Sequence, residues 1–347
     1  MKTIQKLKTI LITGGAGYIG SHCCLAALNA GYNVICLDSL ERGYMEAVTR
    51  VEKLSNKKMV FIKCDLKDKD SIIEVFENNK IDLVIHFAAY KSVGEGQSHK
   101  QKYNENNVGG SNNLLAAMKV GGCKNIIFSS TAAVYGDSKV MPVTETTPTL
   151  PMSVYGQNKL DTEKNIQSYC VNEGFKAIAF RYFNVVGNDQ SGDIGEDPSQ
   201  STNLLPVLLQ TIKGERVKTQ LFGDKHNTND GTQERDYIDV VDLVNAHILG
   251  IGKIESDITP GELKVINLST SKATSCKQMI DYCENITGKK LNLEVIEKRD
   301  GDPDVIVADN KLAVEYLGWK VKNSVENSIE NQWKWVEKNP KGYSKIS

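Results

Sequence analysis

Short apolar runs recur through the first half of the chain, separated by longer stretches whose apolar positions recur at helical spacing. Residues 9–13, 33–38, 59–64, 82–88, 124–130 and 177–183 are the runs, and they predict strands. Residues 18–31, 68–79, 104–121 and 153–173 lie between them and predict helices. Strand alternating with helix in this way is the pattern of a parallel, doubly wound sheet. The character changes after Arg181-Tyr182-Phe183-Asn184: residues 187–203 and 223–234 are polar and glycine-containing, as loops lining a cleft commonly are. The expected architecture is therefore α/β, a larger domain over 1–185 and a smaller α/β domain over 186–347 above the carboxyl edge of the sheet. An element near 236–250 is expected to return to the first domain. No internal repeat or low-complexity segment interrupts the pattern.

The first strand, Ile10-Leu11-Ile12, runs into Thr13-Gly14-Gly15-Ala16-Gly17-Tyr18-Ile19-Gly20 and then a helix. A glycine triplet alone says little, but a strand before it and a helix after it make a dinucleotide-phosphate site of the Rossmann type. Gly14 allows the tight turn, and Gly17 lets backbone N–H groups approach a pyrophosphate. Gly20 lets the helix, whose N-terminal dipole favours the negative charge, pack on the strand. The second strand ends in Asp38, eighteen residues beyond Gly20. A carboxylate there accepts hydrogen bonds from the adenosine ribose of NAD and repels the extra phosphate of NADP. Arg42 nearby leaves the opposite preference open.

Tyr155 and Lys159 are four residues apart in a predicted helix and so share a face. A lysine cation beside a tyrosine, helped by the positive nicotinamide of NAD, lowers the tyrosine's proton affinity and makes it a general base toward a substrate hydroxyl. Lys159 also suits the nicotinamide ribose. Downstream of a dinucleotide fingerprint this pair is read as catalytic rather than as an exposed helix face. Thr131, at the end of Phe128-Ser129-Ser130-Thr131, is the candidate hydroxyl bridging substrate and Tyr155; its alternative role is a turn or cap. Ser129 and Ser130 are read as backbone-satisfying or cofactor-facing.

Length and charge narrow the classes. The chain has 347 residues, 42 basic and 43 acidic, for a formal net charge of -1, which argues against binding nucleic acid or a membrane surface. No N-terminal segment has the length of a signal peptide or a spanning helix, so a cytoplasmic location is expected. The eight cysteines, at 23, 24, 36, 64, 123, 170, 276 and 283, form no CxxC pair, and the histidines show no metal-ligand spacing. Reduced thiols and no metal site are expected.

TGGAGYIGSH, IHFAAYKSVGE, FSSTAAVYG, the Tyr155/Lys159 pair and RYFNVVG together resemble the extended short-chain dehydrogenases/reductases. SGDIGEDP at 191–198, DGTQERDYI at 230–238 and RDGD at 299–302 resemble, more narrowly, the UDP-glucose (UDP-galactose) 4-epimerases, in order along essentially the whole chain. The resemblance implies an NAD-dependent isomerase of galactose metabolism: Tyr155 takes the proton of the sugar 4-hydroxyl while hydride passes to NAD, the 4-keto sugar turns over, and both return. It also implies Asp65 and Leu66 at the adenine, Phe87, Ala88, Ala89 and Lys91 along the cofactor groove, and Asn106 near the pyrophosphate or ribose. Tyr18, Ile19 and Ser129 join that groove, and Phe183 stands near the nicotinamide. Lys91, Thr131, Tyr155, Asn184, Asn203, Leu204, Phe222, Arg235, Tyr237, Arg299 and Asp302 would hold UDP-galactose or UDP-glucose. The two arginines suit a diphosphate and Asp302 a ribose.

Some positions depart from the family pattern: Ser39 and Thr202 stand where relatives have Asn, and Thr131 where they have Ser. Ile306 aligns with the position that gates hexose size, and its bulk points to plain hexoses over N-acetylhexosamines. The resemblance further implies a homodimer through helices near 104–120 and 153–172, and a single-function enzyme without the mutarotase domain of some fungal relatives. A 4,6-dehydratase is disfavoured because Ala132 and Ala133 occupy the places of its acid and base. A uronate-specific enzyme would need a basic residue for the sugar carboxylate, which the sequence does not reveal. A non-catalytic NAD-sensing module would be expected to have lost Tyr155 or Lys159.

Overall fold

The computed structural model describes residues 8–198, 201, 203–298 and 303–343. The apolar runs form β1 (Thr9–Thr13), β2 (Asn33–Asp38), β3 (Val60–Lys63), β4 (Leu83–His86), β5 (Asn125–Ser129) and β6 (Lys176–Tyr182). Between them lie α1 (Tyr18–Asn29), α2 (Met45–Ser55), α3 (Lys69–Asn78), α4 (Val93–Ser98), α5 (Lys100–Tyr103), α6 (Gly110–Val120) and α7 (Val154–Glu173). Ile10 and Ile12 bury into one core and Leu11 into the other. Burial on both faces is what a parallel sheet covered by helices on each side demands, and it is why these strands read as continuous apolar runs.

The rest of the chain folds as β7 (Asn184–Val186), α8 (Leu204–Lys213), β8 (Thr219–Phe222), β9 (Glu234–Asp239), α9 (Val240–Ser256), β10 (Leu263–Leu268), β11 (Ala273–Ser275), α10 (Cys276–Thr287), β12 (Leu293–Ile296), β13 (Val305–Ile306) and α11 (Val325–Lys338). The central sheet has seven parallel strands in the order β10-β6-β5-β4-β1-β2-β3. Winding reverses between β1 and β4, so the carboxyl ends of these strands form the crevice where such sheets bind ligands.

Two sequence expectations needed extension. The chain that returns from the second half is longer than an element near 236–250: α9 packs in the core beside α1, and β10 extends the sheet beside β6. β10 escaped the apolar pattern because Lys264 and Asn267 interrupt its apolar residues. The 104–121 helix opens with a π turn over Asn104–Gly109 before α6 begins.

Beyond β6, β9 pairs with β7, β11 and β13, and β8 pairs with β12 in a separate two-stranded ribbon. Leu205, Leu208 and Leu209 of α8 pack with Met279 and Cys283 of α10 and Ile329 and Trp335 of α11 as a third core. All eight cysteines are buried thiols. Among the described residues no helix is long and apolar enough to cross a membrane.

Candidate active site

The glycine turn is built by contacts that exclude side chains. Gly14 has φ 69° and donates to the Leu37 carbonyl at 2.8 Å, and a Cβ on it would meet the Ala88 backbone nitrogen at 2.9 Å. A Cβ on Gly20 would stand 2.0 Å from the Gly14 carbonyl oxygen. Gly17 caps α1 without any side-chain acceptor, so the first N–H groups of that helix face the cavity with their dipole. We expect Gly20→Ala to destabilise the fold by about 3 kcal/mol or more, because backbone has to move. A thermal melt set beside Gly252→Ala, where a Cβ meets nothing within 4 Å, checks this.

From this turn a cavity of about 820 Å³ extends along the carboxyl ends of β1, β2, β4 and β5. Gly14, Gly17, Tyr18, Ile19, Gly20, Asp38, Asp65, Leu66, Phe87, Ala88, Ala89, Lys91, Asn106, Ser129, Tyr155, Lys159 and Asn203 all line it. Asp38 is buried, and its two oxygens accept from Ala16 N at 3.1 Å and Leu40 N at 2.8 Å. Burial raises its pKa, and those two amides work against the rise. Asn106 belongs to the π turn, a geometry that recurs at functional sites. Beside it, Asn107 holds the Tyr90 backbone through both N–H and C=O, at 2.8 and 3.0 Å.

At the β5 end, Ser153 caps α7 and Tyr155 lies in its first turn. Tyr155 is hydrogen-bonded to Thr131, whose hydroxyl also accepts from Ala133 N at 3.2 Å; Thr131 is thus both a cap and a partner of the tyrosine. Lys159, only 4% exposed, donates to the Ser129 carbonyl at 2.7 Å. Burial brings Lys159 down to about 7, opposed by the negative charge of Glu163 one turn further along α7. Burial likewise holds Tyr155 well above its ordinary range, with the neighbouring Tyr182 adding to the rise and the Thr131 hydrogen bond opposing it. Tyr182, hydrogen-bonded to Ser129, also lines the cavity. The sequence reading left it unassigned, although strand alternation puts Tyr182 and Arg181 on opposite faces of β6. Arg181 accordingly points away, into a buried pair with Glu163.

Glu196 was also unassigned. It is 5% exposed, lines the same cavity and pairs with Lys91 at 2.8 Å. Phe183 instead packs in the cluster of Val134, Tyr135 and Leu160 and does not line the cavity.

Asn184, Leu204, Phe222, Arg235 and Tyr237 also lie outside the cavity lining. Asn184 pairs with Tyr237 in β7–β9, Arg235 pairs with Ile306 in β9–β13, and Phe222 ends β8. Arg235 donates to the Glu234 carbonyl at 2.9 Å and the Asp304 carbonyl at 3.4 Å. Arg299, Asp302 and Thr202 fall outside the described residues.

The residues present fit a dinucleotide. At Gly14 and Gly20 the turn leaves room only for backbone, helix N–H groups face the cavity, and a carboxylate ends the second strand.

Comparison with known proteins accords with this. The model of the NAD dependent epimerase/dehydratase family matches residues 10–268. The UDP-glucose 4-epimerase of Drosophila melanogaster is 40% identical over 345 residues, 97% of this chain and 98% of its own. That of Halalkalibacterium halodurans is 40% identical over 336 residues, 96% of this chain and 97% of its own. The structure of UDP-glucose 4-epimerase from Bifidobacterium longum in complex with NAD+ and UDP superposes with a TM-score of 0.92 at 36% identity, covering 97% of this chain and 100% of that one. A glycine turn, a Tyr155/Lys159 pair and likeness along nearly the whole length carry one conclusion: this chain belongs to the NAD-dependent epimerase/dehydratase family, in its UDP-glucose 4-epimerase branch.

Proposed function

We propose that this cavity interconverts UDP-galactose and UDP-glucose through a 4-keto sugar, with Tyr155 as the acid/base. The observation that carries the reading is a shared wall: Tyr155 and Lys159 line the cavity that begins at the glycine turn, and Thr131 is hydrogen-bonded to Tyr155. Bound NAD supplies a positively charged ring that accepts a hydride from C4 and gives it back. Gly14, Gly17, Tyr18, Ile19 and Gly20 hold its diphosphate, Asp38 its adenosine ribose, Asp65 and Leu66 its adenine, and Lys159 its other ribose. Phe87, Ala88, Ala89, Lys91, Asn106 and Ser129 form the walls between.

Tyr155 removes the 4-hydroxyl proton and later returns it to the same oxygen, once the sugar has turned its other face. Thr131 holds the same hydroxyl in line, and Lys159 in its cationic form stabilises the phenolate. Asn203 faces the cavity from the second half of the chain, and we assign the UDP moiety to that side, with Asn184, Leu204, Phe222, Arg235, Tyr237, Arg299 and Asp302. Ile306, beside Arg235 in the sheet, favours plain hexoses. The same reading makes 1–185 the NAD-binding domain and 186–347 the UDP-sugar domain. It takes the protein to be a cytoplasmic homodimer joined through the 104–120 and 153–172 helices.

Purified protein given UDP-galactose without added cofactor should yield UDP-glucose, measured by separating the two sugar nucleotides. No conversion even with NAD supplied would overturn the reading.

A further inference from the structure

Arg42, which the sequence left as a possible NADP-favouring cation, is engaged elsewhere. It sits in the loop after β2 and lines the cavity. Its Nη2 donates to both Glu95 oxygens, at 2.8 and 2.6 Å, and its guanidinium lies 4.5 Å over the Tyr90 ring. Around this pair the contacts multiply. Tyr90 donates to Glu41 at 2.5 Å, and Tyr103 donates to Glu95 at 3.1 Å. Lys102 reaches Glu95 at 3.3 Å and Glu41 at 3.7 Å, with its ammonium 4.6 Å from the Tyr90 ring.

These residues come from two walls. Glu41 and Arg42 follow β2, whereas Tyr90, Glu95, Lys102 and Tyr103 follow β4. β1 lies between those strands, so the network crosses the carboxyl end of β1, at the end of the cavity marked by Asp38. Its four charges sum to zero: Arg42 and Lys102 against Glu41 and Glu95. The cluster therefore exerts no net pull on an anionic ligand; what it does is tie one wall to the other.

We propose that Arg42 and Glu95 form an ionic strap across the adenosine end of the cavity, and that Glu95, acting through Arg42, is a positioning residue for cofactor retention. This rests on the dinucleotide occupying the cavity as assigned above. A strap of this kind acts on the rate of release more than on the rate of entry. Because Arg42 and Glu95 are 36% and 28% exposed, salt screens them. Acid does not open the strap in the ordinary range, since Arg42 first, then the Lys102 and Tyr103 hydrogen bonds, hold the Glu95 carboxyl down at about 2. A carboxyl depressed this way keeps its contribution above its ordinary value and loses it only as pH falls through about 2.

The test is the exchange of bound NAD in the holoenzyme against isotopically labelled NAD. Glu95→Gln and Arg42→Met should each speed exchange about five- to tenfold, as for a network rather than a lone surface pair. Arg42→Lys should recover part of the retention. In the wild type, raising salt from about 0.05 to about 0.5 M should speed exchange, and in Glu95→Gln that response should vanish. Asp38→Ala separates the two levels of the argument. Faster exchange in Asp38→Ala with none in Glu95→Gln overturns the strap, and no change in either overturns the placement of the cofactor. Wild-type exchange indifferent to salt overturns the strap without any variant being needed.

Discussion

Tyr155→Phe should lower kcat by about three to four orders of magnitude while leaving bound NAD and overall stability nearly intact. The size follows from what general acid/base catalysis contributes, typically 10²- to 10⁴-fold, and from the proton being moved twice in one cycle. The ring stays, so the packing of the first turn of α7 against the Ala132–Tyr135 turn is preserved. Only the hydroxyl hydrogen-bonded to Thr131 is lost. Thr131→Val should cost less, because Tyr155 retains its place on the helix and Lys159 its bond to the Ser129 carbonyl. The measurement is the steady-state rate of UDP-galactose conversion alongside the nucleotide content of each purified variant. If the Tyr155→Phe variant kept more than about a tenth of the wild-type rate, another group would have to move the proton.

The cofactor half of the cavity was legible because each of its requirements is local. A turn that forbids Cβ atoms writes itself as Gly14 and Gly20, and a carboxylate at a strand end as Asp38. A helix face writes itself as two residues four apart. Parallel strands buried on both sides read as apolar runs for the same reason, and with the edge strand β3, whose Val60-Phe61-Ile62 is apolar without being buried, six of the seven strands of the central sheet stood out. β10 did not, since Lys264 and Asn267 interrupt its apolar residues.

Pairings across long stretches of chain leave no such trace. Arg42 with Glu95, and Lys91 with Glu196 across 105 residues, bring together charges that each look solvated in sequence. Tyr182 needed the phase of β6 to be known before its side could be assigned. The positions we assign to UDP rested on resemblance rather than local pattern. They are dispersed over β7, α8, β8 and β9, each of which is short and reads as an ordinary strand or helix end.

Glu163→Gln should be costly both to stability and to the pH dependence of the reaction. Glu163 and Arg181 are 4% and 6% exposed, and the carboxylate accepts from Arg181 Nε at 2.9 Å, Arg181 Nη2 at 2.5 Å and the Ser130 hydroxyl. Removing the charge from one partner leaves a guanidinium buried with no counter-ion, which typically costs about 3–5 kcal/mol. The double change Glu163→Leu with Arg181→Leu should recover much of that loss, because two apolar residues replace a pair whose desolvation already offsets most of its attraction. The catalytic consequence has a different signature. Glu163 is the neighbour whose charge favours the Lys159 cation against burial, which has brought that lysine down to about 7. A lysine lowered by folding costs stability below that value, and the cost fades as pH rises toward its ordinary range. For catalysis the cation is the useful form, so activity should decline as pH climbs through the lysine's titration. Without Glu163, and with Arg181 unpaired nearby, the cation is harder to keep, and the alkaline limb of kcat should move to lower pH. The double leucine variant should regain stability and still show the displaced limb, since it restores packing but no negative charge. A pH–kcat profile of the three proteins, read beside their thermal melts, separates these roles. An alkaline limb unmoved in both variants would leave the Glu163–Arg181 pair as scaffolding alone.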